Sequence, residues 1–249
     1  MRKKLAVILF LFVCYSCTNT PNKHQTATSN NPQAEKNKTL NKANSDSEEL
    51  KLHFSAPTQV DTSAYVIYSL YMGEMNGSSF KRMSGSEGTP HSWNLIFLNT
   101  ETHKYHLLDS SRRMLIRSFD ADQESTDVVV NGHKEKSKYL FYSIITDDAN
   151  KDGKLDEGDP EYLFISDKTG NNFKQISPAN FDVRGWKVIN ETNKVLISGV
   201  DSRNMKHEDA EITPFIYDLK SGAPSYKAFS DGFIKKTKRL FDKQWGKKE

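Results

Sequence analysis

Cysteine is nearly absent from this chain. Only Cys14 and Cys17 occur among the 249 residues, and both lie close to the N-terminus. No disulfide can form among the residues that follow, so a fold there must be stabilised by its own apolar core or by a bound ion. Long apolar runs are lacking too. The run Leu5–Val13 has nine residues, well short of the roughly 20 that a membrane-spanning helix needs.

An excess of charge of either sign is also lacking. The chain has 35 Lys and Arg against 32 Asp and Glu, a formal net charge of +3, and Arg2, Lys3 and Lys4 account for that excess. Outside the N-terminal segment the two signs balance. The sequence pI near 8.6 therefore does not indicate nucleic-acid binding, and we expect no nucleic-acid partner.

Recognisable catalytic motifs do not occur. The sequence contains no Gly-x-Ser-x-Gly, His-Glu-x-x-His, P-loop or dinucleotide-binding pattern. His103 and His106 are spaced i, i+3, which places them on opposite faces of a strand. We therefore predict two separate surface histidines and no metal shared between them.

The N-terminus has the pattern of a signal peptide over residues 1–16, with three basic residues before the apolar run 5–13. It ends in a small residue followed by Cys17, which resembles the lipobox of bacterial lipoproteins, with Cys14 where that family usually has Leu. The resemblance implies that Cys17 is lipidated and that the protein is anchored in the bacterial cell envelope, with the outer membrane favoured over the inner. A secreted protein with a free or paired Cys17 is the alternative.

Residues 17–50 follow as a polar linker. From Thr18 onward they are mostly Asn, Thr, Ser, Lys and Gln, and Leu40 and Leu50 are the only large apolar residues. Such a stretch buries too little surface to offset its ordering entropy, so we predict disorder. A flexible coil of this length spans on the order of 30 Å, which suits a tether. A single folded domain over 51–249 remains.

This domain is predicted to be all-β. Short runs rich in β-branched and aromatic residues occur throughout it, bounded by turn dipeptides such as Thr169-Gly170 and Ser221-Gly222. The clearest predicted strands are Tyr65–Tyr71, Trp93–Leu98, Tyr139–Ile145, Tyr162–Ile165 and Val195–Ser198.

A strand–turn–strand pattern then repeats at 94–109, 162–178 and 214–230. Units of four short strands at intervals near 40–50 residues are typical of propeller blades. Residues 163–178, LFISDKTGNNFKQISP, resemble the outer hairpin of the TolB-type propeller repeat with its Asp-x-x-Gly turn, whereas 190–194 depart from that repeat. The resemblance implies propeller-like antiparallel sheets. Three units are recognisable and closed propellers have four to eight, so either a fourth blade lies within 51–90 or the sheets form an incomplete propeller or a sandwich.

One acidic loop carries the pattern of a calcium site. Residues 148–159 match the formula D-x-[DN]-x-[DN]-G-x₅-E except that Asp stands in the last place. The predicted Ca²⁺ ligands are Asp148, Asn150, Asp152, Lys154 through its backbone carbonyl, Asp156 and Asp159. A register beginning at Asp147 would put Ala149 at the third position, which has no side-chain oxygen. Gly153 permits the sharp turn that wraps the chain around the ion.

Predicted strands, not helices, flank this loop. We therefore interpret it as a structural calcium site that links two strands of one sheet. A calcium sensor would instead need a pair of helices that open when the ion binds. Asp at the last position reaches less far than Glu, and Lys151 and Lys154 reduce the local negative charge. We expect weak binding, with a Kd of about 10⁻⁴ to 10⁻³ M. A polar turn without metal is the alternative.

The C-terminus differs from the rest. Residues 232–249 are strongly basic, and Phe233, Thr237, Leu240, Phe241 and Trp245 fall near helical spacing. We predict a short helix that packs its Phe and Trp on the edge of a sheet. The alternative is a surface helix that touches anionic lipid or an acidic partner.

Together these features favour a lipid-anchored binding or scaffold domain, with a protein or a glycan as partner. The alternative is an envelope hydrolase acting on carbohydrate or peptide, with two acidic side chains about 5–10 Å apart in a pocket. A third reading is a structural protein held to acidic polymers by its basic C-terminus.

Overall fold

The computed structural model describes residues 51–76, 79–82, 91–120, 128–130, 133–135, 138–207 and 209–246. In chain order its strands are β1 Lys51–Phe54, β2 Thr58–Gln59, β3 Tyr65–Asn76, β4 Ser79–Arg82, β5 Asn94–Asn99, β6 Tyr105–Leu107, β7 Leu115–Asp120, β8 Val128–Val130, β9 His133–Glu135, β10 Tyr139–Ile145, β11 Glu161–Asp167, β12 Lys174–Gln175, β13 Phe181–Ile189, β14 Lys194–Asp201, β15 Thr213–Asp218 and β16 Tyr226–Lys227. Two short 3₁₀ turns, Asn190–Thr192 and Ser202–Asn204, follow β13 and β14, and one helix, α1, spans Asp231–Trp245.

The strands form three successive antiparallel sheets. The first has the order β1-β3-β5-β6, with β2 and β4 also paired to β3; the second has the order β12-β11-β10-β7; the third has the order β13-β14-β15-β16. Strands β8 and β9 pair only with each other. Each sheet therefore contains a four-stranded path, as a propeller blade does.

The second sheet lies between the other two because both of its faces are apolar. Leu140, Tyr142 and Ile144 of β10 belong to a buried cluster shared with residues of the first sheet. Phe141, between them, belongs to a second cluster shared with the third sheet. Alternate residues of a strand point to opposite faces, so a continuous apolar run such as Tyr139–Ile145 is required where a sheet is covered on both sides.

The repeat seen in the sequence corresponds to the last two strands of each sheet. The turns β5–β6, β11–β12 and β15–β16 begin at Asn99, Asp167 and Asp218, and each of these side chains accepts hydrogen bonds from backbone N–H groups two to four residues ahead. Each turn contains a residue in the left-handed region, namely His103, Gly170 or Gly222. The same Asx-turn chemistry closes all three hairpins.

The predicted fold class is confirmed: the domain is all-β, built from propeller-like antiparallel sheets, with a short C-terminal helix. The described strands between residues 51 and 82 pair into the first sheet with β5 and β6, so they do not make a fourth blade. The described sheets form an open stack of three, which corresponds to the incomplete-propeller reading.

Candidate metal centre

The acidic loop connects the two central strands of the second sheet. Its ends are held close together because Ile145, the last residue of β10, pairs with Glu161, the first residue of β11. The loop is also tied to the neighbouring strand β7, since the Arg117 guanidinium contacts the carboxylates of Glu157 at 3.5 Å and Glu161 at 3.4 Å. The acidic loop therefore connects two strands of the buried sheet that lies between the other two.

The acidic and amide side chains of the loop turn inward onto its own backbone. Asp148 accepts from the N–H groups of Asp152 at 3.1 Å and Gly153 at 2.8 Å. The same pattern recurs along the loop, in which Asn150 accepts from Asp152 N–H at 2.9 Å, Asp152 from Lys154 N–H at 2.9 Å, and Asp156 from Gly158 N–H at 2.7 Å. These Asx turns bend the chain at alternate residues, as a loop that wraps a cation requires.

Asp159 closes the loop from its far end. Its side chain is 2 % exposed. One carboxylate oxygen accepts from the N–H of Ala149 at 2.9 Å and of Asn150 at 3.4 Å, and the other accepts from the N–H of Asp156 at 3.2 Å. A buried carboxylate must be paired or hydrogen-bonded to be tolerated, and these three donors meet that requirement.

Two glycines shape the loop for different reasons. Gly153 has a φ of +85° with no atom near the place a Cβ would occupy, so only its backbone conformation requires glycine. Gly158 is required by space, because an added Cβ would lie 2.9 Å from Asp156 Oδ1 and 3.0 Å from Asn150 Nδ2. The structure therefore brings the third and ninth loop positions together around Gly158, a residue that the motif formula does not single out.

Further contacts outside the motif hold the loop. Arg113 donates to the carbonyl of Gly153 at 3.1 Å, and Tyr162, at the start of β11, lies against Asp147. Burial, with the charge and hydrogen bond of Asp147, raises the pKa of the Tyr162 phenol. Asp147 thus contacts a strand residue instead of the loop interior, in line with a register that begins at Asp148.

The donor set can be tested against the group it is predicted to hold. It consists of oxygen atoms alone, which is the preference of a hard cation such as Ca²⁺. Within the described ranges, however, no three His, Cys, Asp or Glu side chains converge into a metal-holding group. The chemistry of the residues fits the ion, and the carboxylates that now accept backbone N–H groups would have to turn a second lone pair toward a common centre.

A cavity lies between the second and third sheets. It has a volume of about 510 Å³ and is lined by residues of β7, β10 and β13, including the stacked pair Phe141 and Trp186, whose ring centroids are 4.5 Å apart. Asp120 is the one carboxylate among its described lining residues. The pair of acidic side chains that a glycoside hydrolase requires is therefore not found in this lining.

The outer face of the first sheet presents an apolar groove. It has a volume of about 290 Å³ and is lined by Phe54, Tyr68, Ile96, Leu98 and Tyr105. Phe54 and Tyr105 are 55 % and 75 % exposed. An exposed patch of aromatic and aliphatic side chains on a sheet face is typical of an interaction surface.

The prediction that both histidines lie on the surface is wrong for His106. Its ring stacks on buried Phe97, with centroids 5.6 Å apart, and its Nε2 lies 2.9 Å from the carbonyl oxygen of Thr169 in the second sheet. His103 is exposed at the hairpin turn with a φ of +57°. His106 therefore joins two sheets, which strand periodicity alone cannot reveal.

The prediction that the C-terminal helix packs its Phe and Trp on a sheet edge is also wrong. Helix α1 begins after Ser230, whose hydroxyl accepts from the N–H of Phe233 at 3.2 Å, and it contains no buried residue. Its large apolar residues are each more than half exposed, namely Phe233, Leu240, Phe241 and Trp245.

Cys17, the predicted lipidation site, lies outside the described residues. Among those that are described, no helix has the length and apolar character needed to cross a membrane. No family model matches the chain, and no curated protein matches it.

Proposed function

We propose that this chain is an envelope lipoprotein, anchored through Cys17. Its β domain is a binding or scaffold module, and one Ca²⁺ bound in the loop 148–159 stabilises that domain. The partner is a protein or a glycan that contacts the exposed surface of the domain. The ion has a structural role: it fixes the loop that joins the two central strands of the second sheet, and through them the stacking of all three sheets.

The observation that carries the metal proposal is the conformation of the loop. Its acidic side chains are already folded inward by Asx turns, and Asp159 returns to Ala149 at the other end, with Oδ1 and N 2.9 Å apart. The pairing of β10 with β11 already brings the ends of the loop together, but a plain hairpin connection does not require a buried carboxylate at its last position that accepts hydrogen bonds from the loop backbone. A cation would add its charge at the centre of carboxylates that are otherwise mutually repulsive.

The binding role is supported by the apolar groove of the first sheet, defined above by Phe54, Tyr68, Ile96, Leu98 and Tyr105. Sheet faces in contact with water are ordinarily polar, whereas this groove is lined by aromatic and aliphatic side chains. Burial of aromatic side chains contributes strongly to protein association. Aromatic rings also present faces on which the C–H groups of a sugar can pack, so both partner classes fit this surface.

A hydrolase is not favoured by any observation. One smaller groove of about 320 Å³, between α1 and the start of β15, does contain two carboxylates, Glu211 and Asp231. Both are ion-paired, with Lys238 at 3.0 Å and Lys227 at 2.9 Å. The hydrogen bond and charge of Lys227 lower the pKa of Asp231, whereas a general acid requires a carboxyl group with a raised pKa.

The test of the metal proposal is the thermal midpoint of the purified protein in Ca²⁺ and in chelator, for the wild type, Asp148→Ala and Asp147→Ala. At ten times the Kd, binding stabilises the fold by about 1.4 kcal/mol, which corresponds to a rise in Tm of roughly 3–6 °C for a domain of this size. A few millimolar Ca²⁺ reaches that ratio for a Kd of about 10⁻⁴ M.

Asp147→Ala is the matched control because it removes an adjacent carboxylate that lies outside the register. We expect the calcium-dependent rise to persist in Asp147→Ala and to disappear in Asp148→Ala. An unchanged Tm in millimolar Ca²⁺ for the wild type would reject the metal site, and a rise that survives in Asp148→Ala would place the ion elsewhere.

A further inference from the structure

Helix α1 carries an apolar stripe, formed by Phe233, Leu240, Phe241 and Trp245. Each of these side chains is more than half exposed, although the Phe233 ring also contacts the Phe229 ring, with centroids 5.5 Å apart. Phe233 and Leu240 are seven residues apart and therefore lie on one line along the helix, together with the polar residues Thr237 and Gln244. Phe241 and Trp245 lie beside this line, and Trp245 is 74 % exposed. Two turns of exposed aromatic and aliphatic side chains on a helix of 15 residues need a covering surface.

The domain holds the N-terminal part of the helix on the side that continues into Phe241 and Trp245, which follow Ile234 and Lys238 at i+7. Asp231 and Lys238, seven residues apart, form ion pairs with Lys227 and Glu211. Between them Ile234 is the one residue of the helix that is partly buried, and it lines the groove against β15. These contacts leave Phe233 and Leu240 on an exposed flank of the helix, roughly 100–160° around its axis from Ile234 and Lys238.

The charges around the stripe have one dominant sign. The helix contains five basic residues and two acidic ones, Asp231 and Asp242. Four of the basic side chains form no ion pair with any described residue, namely Lys235, Lys236, Arg239 and Lys243. Lys235, Arg239 and Lys243, spaced by four residues, form a basic face on the other side of the helix from the stripe. A helix with one apolar and one basic face complements a surface that is apolar below and negatively charged above.

We propose that α1 lies in the plane of an anionic membrane surface. Phe233, Leu240 and Phe241 would be buried at the boundary between headgroups and acyl chains, the Trp245 indole would lie at the interface, and the basic residues would contact lipid phosphates. An acidic polymer would engage the charges and leave the apolar stripe in water, so the combination favours lipid. This proposal depends neither on calcium nor on lipidation of Cys17.

The test uses the full chain with Cys17→Ser, so that no lipid anchor contributes, and vesicles of phosphatidylglycerol and phosphatidylethanolamine or of phosphatidylcholine. Co-sedimentation measures binding, and the tryptophan emission maximum reports insertion. Trp245→Phe assigns that signal, because Trp93 and Trp186 remain. Any affinity that residues 1–16 have for vesicles is common to every variant, so differences between variants report on α1.

We expect binding to the anionic vesicles, a blue shift that is lost in Trp245→Phe, and little binding to phosphatidylcholine. Lys236→Gln with Arg239→Gln should weaken partitioning about thirty-fold, since each basic residue near an anionic surface contributes about five-fold. Leu240→Ala with Phe241→Ala should weaken it by at least about ten-fold. Leu52→Ala with Leu196→Ala, two exposed apolar side chains of β1 and β14 that lie outside the helix and outside the apolar groove, is the matched control and should leave partitioning unchanged.

Three outcomes would overturn the proposal. These are equal binding to both vesicle types, loss of binding in the lysine and arginine variant with no effect of the Leu240 and Phe241 variant, and full binding by both helix variants. The second outcome would indicate an acidic polymer as the partner. All of the substituted side chains are exposed or on the helix surface, and the Tm of each variant checks that the domain is intact.

Discussion

Asp159 Oδ1 accepts a hydrogen bond from the backbone N–H of Ala149 at 2.9 Å, so the last acidic residue of the loop returns to its beginning. The pairing of β10 with β11 brings the loop ends together, and the buried Asp159 carboxylate then fastens the end of the loop to its beginning. Asp159 therefore has two roles. It stabilises the loop when no metal is bound, and it is the last predicted oxygen ligand when an ion is bound; the motif formula describes only the second role.

Asp159→Ala should destabilise the protein even in chelator. The substitution removes the acceptor of three backbone N–H groups, and hydrogen bonds to a charged group are among the stronger ones. We expect a loss of about 2–4 kcal/mol in the free energy of unfolding, measured by urea denaturation. Glu101→Ala, an exposed carboxylate in the first outer hairpin, should change it by less than about 0.5 kcal/mol. Equal stability of Asp159→Ala and wild type would show that the hydrogen bonds of Asp159 contribute nothing.

The two loop glycines should respond differently to alanine. Gly153→Ala meets no atom but must keep a φ of +85°, so we expect a loss of about 1 kcal/mol in stability, and weaker calcium binding because the turn opens. Gly158→Ala would instead push aside Asp156 and Asn150, two predicted ligands, and should weaken calcium binding more than it lowers stability. Calorimetric titration with Ca²⁺ and urea denaturation give the two quantities for each variant. The prediction fails if Gly158→Ala binds calcium as the wild type does.

Local patterns predicted much of this architecture. The strand Tyr139–Ile145 was evident because its unbroken apolar run matches a sheet covered on both faces, and the hairpins were evident because Asp167 and Asp218 mark Asx turns by type and spacing. The backbone of the acidic loop follows the same logic, in which Gly153 occupies the position that needs positive φ.

Long-range features could not be predicted in this way. Pairing of β1 with β3 and of β3 with β5 depends on register between distant segments, so the sequence alone left a fourth blade within residues 51–90 as an alternative. His106 lies between two sheets because of how the sheets stack. The apolar face of α1 was visible in the sequence, but periodicity indicates only that a face is apolar and not what covers it.

Acid should destabilise the domain through its turn carboxylates. Burial raises the pKa of Asp167, but hydrogen bonds from Thr169, Asn171 and Asn172 outweigh it and leave the pKa below the ordinary 3.8; the side-chain and backbone hydrogen bonds of Arg203 lower the pKa of Asp201 to about 2. A carboxyl group whose pKa is lower in the folded state stabilises the fold above its unfolded pKa, and that stabilisation is lost as the pH falls through the folded value.

We therefore expect the free energy of unfolding to decline between about pH 4 and about pH 2, measured by urea denaturation at a series of pH values in chelator. Asp167→Asn should be less stable at neutral pH and should show a shallower decline, because one of the groups that takes up a proton is gone. A decline of unchanged steepness in Asp167→Asn would show that this turn does not contribute to the acid response.

Gly170 and Gly222 occupy equivalent turns of the second and third sheets. Alanine at these two positions distinguishes the cost of a steric clash from the cost of a strained backbone. Both have positive φ, +80° and +64°, so alanine costs about 1 kcal/mol at either position from conformation alone. At Gly170 an added Cβ would also lie 2.6 Å from the ring of buried Phe97, whereas at Gly222 the nearest atom is Lys174 Nζ at 3.2 Å, the mobile end of a long side chain.

Gly170→Ala should therefore lower the free energy of unfolding by about 2–4 kcal/mol and Gly222→Ala by only about 1 kcal/mol. Since Gly170 belongs to the second sheet and Phe97 to the first, equal effects in urea denaturation would mean that the two sheets are not in the close contact on which the stacked core depends.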